Sequence, residues 1–202
     1  MGSSMSERSR IVVGISGASG AIYAQTLVRF LVREDYEVHL VITKCGKRLL
    51  HDELGVEGDE FVSELGDGGE GVLVVHPVND IGASIASGSF QHGGMVVVPC
   101  SSHSLAMMAN GLGDNLLTRA AAVTLKEKRR LVIGHRESPL TLIDIENMRR
   151  LALAGAVIAP ANPGWYMAPG CLQDIANFVA SRLLDALGVV NDLVGRWGGD
   201  NG

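Results

Sequence analysis

Short apolar runs alternate along this chain with longer stretches in which apolar positions recur every three or four residues. Runs of the first kind, Arg10–Ile15, Glu37–Ile42, Val72–His76, Gly94–Pro99, Arg130–Gly134 and Ala156–Ala159, read as buried strands. The second kind predicts helices over Ala21–Arg33, Cys45–Leu54, Leu116–Lys128, Thr141–Ala154 and Leu172–Leu187, with a further one through Leu105, Met107 and Met108. Regular alternation of strand and helix predicts an α/β fold: a single doubly wound, mainly parallel sheet in a three-layer sandwich with right-handed crossovers. The acidic, glycine-rich stretch Gly55–Gly71 reads as a surface loop. With 202 residues and no internal repeat, one domain is expected over 10–190, after a disordered remnant at 1–9 and before a tail at 191–202.

Composition narrows the function. Hydrophobic residues reach 47% while charged ones stop at 19% and aromatics at 4%, so the surplus is aliphatic and points to a subunit interface. No apolar run has the length of a membrane span. A net charge of −5 argues against nucleic acid as the main partner. Cys45, Cys100 and Cys171 are odd in number and far apart, which suggests a reducing cytoplasm and neither a disulfide framework nor a zinc ribbon. Met1-Gly-Ser-Ser-Met5 reads as a remnant of expression cloning and has no secretory apolar core.

The segment Arg10-Ile-Val-Val-Gly-Ile-Ser-Gly-Ala-Ser-Gly-Ala-Ile-Tyr23 runs a strand into a loop of Gly14, Gly17 and Gly20, and then into a helix. Glycines let an anion approach the backbone N–H groups of a helix start, and Ser16 and Ser19 add hydroxyls. That suits a phosphate-bearing ligand. The G-x-x-G-x-x-G spacing differs from the dinucleotide G-x-G-x-x-G, and no Gly-Lys-[Ser/Thr] ending makes it a P-loop. The competing reading is a glycine turn for close strand–helix packing.

In doubly wound sheets, ligands sit beyond the carboxyl ends of the strands. Ser16–Ser19, Thr43-Lys44, Cys100–Ser104, His135–Ser138 and Asn162–Tyr166 all follow strands and should therefore gather along one edge. Among them, Pro99-Cys-Ser-Ser-His-Ser104 is either a second polar cradle or a helix-capping cluster. Arg136-Glu-Ser-Pro139 places a forked phosphate donor beside a carboxyl suited to proton transfer, or forms a plain surface ion pair. Trp165-Tyr166 either covers an aromatic ligand or packs its own loop. No His, Cys and Asp spacing makes a metal site, and His135 and the other histidines read as structural.

Taken together, these residues resemble the flavin prenyltransferase family of the UbiX type, from Arg10 to about Trp197. The resemblance is carried by Gly14–Tyr23, Ala83-Ser-Ile-Ala-Ser-Gly-Ser-Phe90, Pro99-Cys-Ser101, Leu117-Thr-Arg-Ala-Ala121, Leu125-Lys-Glu127, Arg136-Glu-Ser-Pro-Leu140 and the Tyr166 loop. It implies a Rossmann- or flavodoxin-like fold and a metal-independent enzyme. Such an enzyme joins the dimethylallyl group of dimethylallyl monophosphate to N5 and C6 of reduced FMN. The resemblance further implies a cytoplasmic homo-oligomer, a dodecamer with sites between subunits, whose prenylated FMN serves a UbiD-type decarboxylase.

Carried over by position, Gly17, Ala18 and Ser19 would contact FMN, with Thr43 standing where the family often has Ser. Ser101, Ser102, His103, Ser104 and Arg136 would complete the flavin site, although Ser102-His103-Ser104 is ground on which the family varies. Tyr166 and Arg182 match prenyl-phosphate positions, and Lys126 a further phosphate-side residue. Glu137 would exchange protons with the leaving phosphate or at flavin C6, with Ser19 in the relay. The implied chemistry is coherent: cleaving an allylic C–O bond leaves a phosphate anion for Lys and Arg, and an allyl cation for π faces. Trp197 would either enclose the substrate or pack the tail.

Two other functions fit the same fold. An FMN-dependent decarboxylase of the cysteine type carries a Pro-x-Met-Asn-x-x-Met-Trp loop, where this chain has Pro160-Ala-Asn-Pro-Gly-Trp-Tyr166. An FMN carrier without chemistry of its own would not need Lys126, Glu137, Tyr166 and Arg182.

Overall fold

The computed structural model describes residues 8–66 and 71–195. Its elements run β1 (Arg10–Ile15), α1 (Ala21–Arg33), β2 (Glu37–Ile42), α2 (Lys44–Leu54), α3 (Gly58–Gly66), β3 (Val72–His76), β4 (Gly94–Cys100), α4 (Ser102–Ala109), α5 (Leu116–Lys126), β5 (Arg130–His135), α6 (Leu142–Leu153), β6 (Val157–Ile158) and α7 (Leu172–Leu187). The strands form one six-stranded sheet in the order β3-β2-β1-β4-β5-β6, and every pairing is parallel. The chain winds outward from β1 through β2 and β3, then crosses back to place β4 on the other side of β1. The order therefore reverses between β1 and β4, where a crevice opens beyond their carboxyl ends.

Period-two alternation explains how the sheet is covered. Val13 and Ile15 of β1 pack with Leu27 and Leu31 of α1 and Leu183 and Leu184 of α7 on one face. Val12, with Met95 and Val97 of β4, meets Leu105, Leu116 and Leu117 on the other. Gly14 belongs to this second contact, since a Cβ there would lie 2.9 Å from Leu117 Cδ1. Helices thus cover both faces, which is why the central strands read as continuous apolar runs.

Three expectations change. The stretch taken as a surface loop contains helix α3, because Val56, Phe61 and Leu65 bury their side chains with Leu50. Its acidic and glycine residues conceal an i, i+4 apolar pair strong enough to dock one helical face. Asp67–Glu70 lie outside the described residues. Helix α5 ends at Lys126, and Lys128 turns left-handed at φ 58° before β5. The last strand shortens to Val157–Ile158, pairing only with Val132 and Ile133 at the sheet edge.

Candidate active site

The floor of the crevice is made by Ser16. Its Oγ donates to Pro99 O at 3.0 Å and accepts the Ser101 amide at 2.8 Å, while its own amide donates to Pro99 O at 3.1 Å. The hydroxyl expected to meet a ligand is instead buried and ties the ends of β1 and β4 together.

Above it, the glycine loop leaves Gly17 and Ser19 exposed and buries Ala18. Gly17 is needed for proximity: a Cβ there would stand 2.4 Å from Cys45 Cβ, in the first turn of α2. Gly20 has φ 121°, a conformation that favours glycine. The amino end of α1 already holds an anion, because Glu53 accepts the Gly20 amide at 2.9 Å and the Ala21 amide at 2.8 Å. Thr43 caps α2 by accepting the Gly46 amide at 3.0 Å, which leaves its O–H proton available to a ligand.

The second wall is the β4–α4 corner. Ser101 Oγ accepts the Ser104 amide at 3.3 Å as the cap of α4, and Ser104 itself is buried behind it. Ser102 is half-buried with its Oγ 3.3 Å from His135 Nε2, whereas His103 faces outward. His135 is buried, as expected of a structural histidine, and burial lowers its pKa from the ordinary 6.5.

Arg136 and Glu137 leave the end of β5 beside this corner. The Arg136 amide donates to Cys100 O at 3.2 Å, but its Nε is buried without a hydrogen-bond partner among the described residues. An unpaired buried guanidinium nitrogen is costly, and a phosphate or carbonyl oxygen from a ligand would satisfy it. Glu137 is exposed and accepts its neighbour's amide, Ser138 N, at 3.0 Å. Tyr23 completes the mouth: burial raises its phenol pKa, the positive charge of Arg136 opposes that rise and Glu53 adds to it. Tyr23, Glu53 and Arg136 therefore share one electrostatic neighbourhood. Sequence reasoning missed Tyr23 and Glu53, since their importance arises from contacts between elements distant along the chain.

The remaining candidates stand apart. The Tyr166 ring packs edge-on to Phe178 of α7 with centroids 5.7 Å apart, and Arg182 lies one helical turn beyond Phe178 on the same face. Arg182 is largely exposed and pairs with Asp185 at 3.1 Å. Lys126 ends α5 just before β5 begins, so it lies at the amino edge of the sheet, about 20 Å from the crevice by strand rise. It pairs there with Glu127 at 3.2 Å. Trp197 lies outside the described residues. Among the described residues no group of three or more His, Cys, Asp or Glu side chains could hold a metal ion, and no helix is long and apolar enough to cross a membrane.

A six-stranded doubly wound sheet whose switch point gathers polar loops around an arginine with a buried, unpaired Nε has the layout of a ligand-binding α/β protein. The Flavoprotein family profile matches residues 2–183. A protein of Halalkalibacterium halodurans named flavin prenyltransferase UbiX is 46% identical over 189 residues, 92% of each chain. The crystal structure of AnUbiX in complex with FMN and dimethylallyl pyrophosphate superposes with a TM-score of 0.89 at 37% identity, covering 96% of this chain and all of that one. A dodecameric FMN-dependent UbiX-like decarboxylase from Escherichia coli gives 0.86, also at 37% identity, over 94% of this chain and all of its own. The chain belongs to the flavin prenyltransferase family.

Proposed function

We propose that this protein joins the dimethylallyl group of dimethylallyl monophosphate to N5 and C6 of reduced FMN. The observation that carries the proposal is the buried, unpartnered Nε of Arg136 beside the exposed carboxylate of Glu137, at the switch point of a sheet shared with the family. Reduced FMN, when bound, supplies the nucleophilic ring positions. Gly17, Ala18, Ser19, Thr43, Ser101 and Arg136 bind and orient it, with Ser102, His103 and Ser104 shaping the adjoining corner. Glu137 holds or moves a proton at the leaving phosphate oxygen or at flavin C6, and Ser19 serves the same relay. Tyr166 and Arg182 receive the prenyl phosphate, and Lys126 neutralises the charge that develops as the C–O bond breaks.

Lys126 cannot reach the crevice of its own chain, so a neighbouring copy supplies it. Helix α6 supports assembly by its inverted pattern. Asp144 and Asn147 face inward at 6% and 5% exposure, while Leu142, Ile143 and Leu153 stand 73%, 72% and 75% exposed. An apolar outer face of this kind is a subunit interface in search of its copy. The assembly we propose is a dodecamer, working in the cytoplasm and delivering prenylated FMN to a UbiD-type decarboxylase.

The test is anaerobic incubation with dithionite-reduced FMN and dimethylallyl monophosphate, followed by mass spectrometry of the extracted flavin. The expected product is heavier by one prenyl unit, and Glu137→Gln and Arg182→Ala each slow its formation by roughly a hundredfold. Unmodified FMN, tightly bound, would instead favour a decarboxylase or an FMN carrier.

A further inference from the structure

Arg182 is held by a chain of contacts that starts in the segment after α7. Its Nη1 donates to Asp185 Oδ2 at 3.1 Å, one helical turn further on. The other carboxylate oxygen, Asp185 Oδ1, accepts from Asn191 Nδ2 at 3.0 Å. Asn191 is buried, and the same amide group also donates to Ser181 O at 3.4 Å, so it is anchored on α7 at a second point. The next residue, Asp192, pairs with Arg33 of α1 at 3.1 Å.

A reversal of the chain brings these groups together. Helix α7 is capped by Gly188 at φ 86°, and the Gly188 and Val189 amides donate back to Asp185 O at 3.0 Å and Leu184 O at 2.9 Å. The segment beyond therefore turns back along the end of the helix, and Asn191 arrives beside Asp185. An exposed ion pair is usually weak because both side chains must be ordered to form it. Here Asn191 has already ordered the Asp185 carboxylate, which is 20% exposed against 64% for Arg182. Only the freedom of Arg182 is lost in forming the pair, and a fixed partner selects one direction for its guanidinium.

We propose that Asp185 is a positioning residue for Arg182, and that Asn191 acts through it. The proposal rests on the prenyltransferase reading above, which gives the prenyl phosphate to Tyr166 and Arg182. Phe178, Arg182 and Asp185 follow one another along one face of α7 at helical spacing, and the Tyr166 ring rests against Phe178. Arginine has five N–H donors, and the Asp185 contact engages one nitrogen, so the fork keeps donors for a phosphate ester. A guanidinium already placed loses little rotamer freedom when the ester arrives. Asp185 also competes with the ester for the same cation. Arg182 is largely exposed, however, so water and salt screen that competition while the loss of placement is felt in full.

The test titrates dimethylallyl monophosphate calorimetrically into the protein loaded with oxidised FMN, so that no turnover occurs. Asp185→Asn should raise its Kd about fivefold while the Kd for FMN moves by less than about twofold. In an Arg182→Ala background the same substitution should change the Kd by less than about twofold, because the two residues act through one contact. Asn191→Ala should raise the Kd about threefold alone and add nothing to Asp185→Asn. In steady-state prenylation the Asp185→Asn effect should fall on KM for dimethylallyl monophosphate and leave kcat within about twofold. An unchanged or lower Kd in Asp185→Asn, an equal effect with and without Arg182, or a parallel loss of FMN affinity each overturns the proposal. A wild type that binds no dimethylallyl monophosphate overturns it as well. Binding with the expected coupling but no prenylated FMN overturns the prenyltransferase reading alone.

Discussion

The Glu53 carboxylate accepts the Gly20 amide at 2.9 Å, so a side chain from α2 closes the amino end of α1. The same oxygen takes the Ala21 amide at 2.8 Å. The sequence offered these N–H groups to a ligand phosphate; the fold gives them to its own acid. Glu53→Ala should cost about 1 kcal/mol of stability in urea unfolding, the usual worth of a helix cap assisted by the macrodipole. Glu53→Gln keeps an acceptor without the charge and should fall between alanine and wild type. An unchanged midpoint in both variants would show the contact to be inert.

Gly17 is a packing requirement as much as a loop residue. Adding a Cβ would bring it to 2.4 Å from Cys45 Cβ, so α2 must move away from the glycine loop. Gly17→Ala should destabilise by about 1–3 kcal/mol, as overpacking does, and weaken FMN binding together with it. Pairing it with Cys45→Gly removes the clashing atom and should restore part of both. Thermal melts and FMN fluorescence quenching on the three variants separate these effects, and a double variant no better than Gly17→Ala would place the strain elsewhere.

Arg136 carries a buried Nε with no hydrogen-bond partner among the described residues. Flavin binding should therefore depend on it more than on the half-buried Ser101 and Ser102 of the α4 corner. Arg136→Ala should cost about 2 kcal/mol, roughly thirtyfold in Kd for FMN, the scale of a charge-assisted hydrogen bond. Arg136→Lys should recover little, because an ammonium cannot reproduce the fork. Equal Kd values in wild type and Arg136→Ala would remove Arg136 from the flavin site.

Asp144 links stability to pH. Its folded pKa, about 2, lies below the ordinary 3.8, so its contribution is fully present above 3.8 and is lost as pH falls through about 2. Asp144→Asn should lose on the order of 1 kcal/mol at neutral pH and flatten the stability profile in that acid window. Urea midpoints collected from pH 5 to about pH 2 read both effects, and parallel profiles for wild type and variant would deny the linkage.

Much of the architecture could be read from the chain. The apolar runs of β1, β2 and β4 and the periodic stripes of α1, α5 and α7 are local patterns, and the structure places them within a residue or two of expectation. The loop that became α3 shows where composition misleads. Phe61 and Leu65 matter only because Leu50 and Val56 wait to receive them, and acidic neighbours mask the pair. Likewise Ser16 is a serviceable ligand donor in sequence, but its hydroxyl is consumed by Pro99 and Ser101.

By itself, then, the sequence determined which segments apart from α3 are strands and helices, that the strands run parallel, and that the chemically suggestive loops share the carboxyl edge. Those are consequences of side-chain period and of the handedness of crossovers, both properties of short stretches. Only the tertiary structure decided which polar groups face inward. Glu53 reaches α1, Ser102 meets His135, Arg136 keeps one nitrogen unpaired, and Lys126 ends at the far edge of the sheet. A hydrogen bond forms between whatever donors and acceptors the packed core brings within about 3 Å, and that proximity is fixed by contacts between segments far apart in the chain.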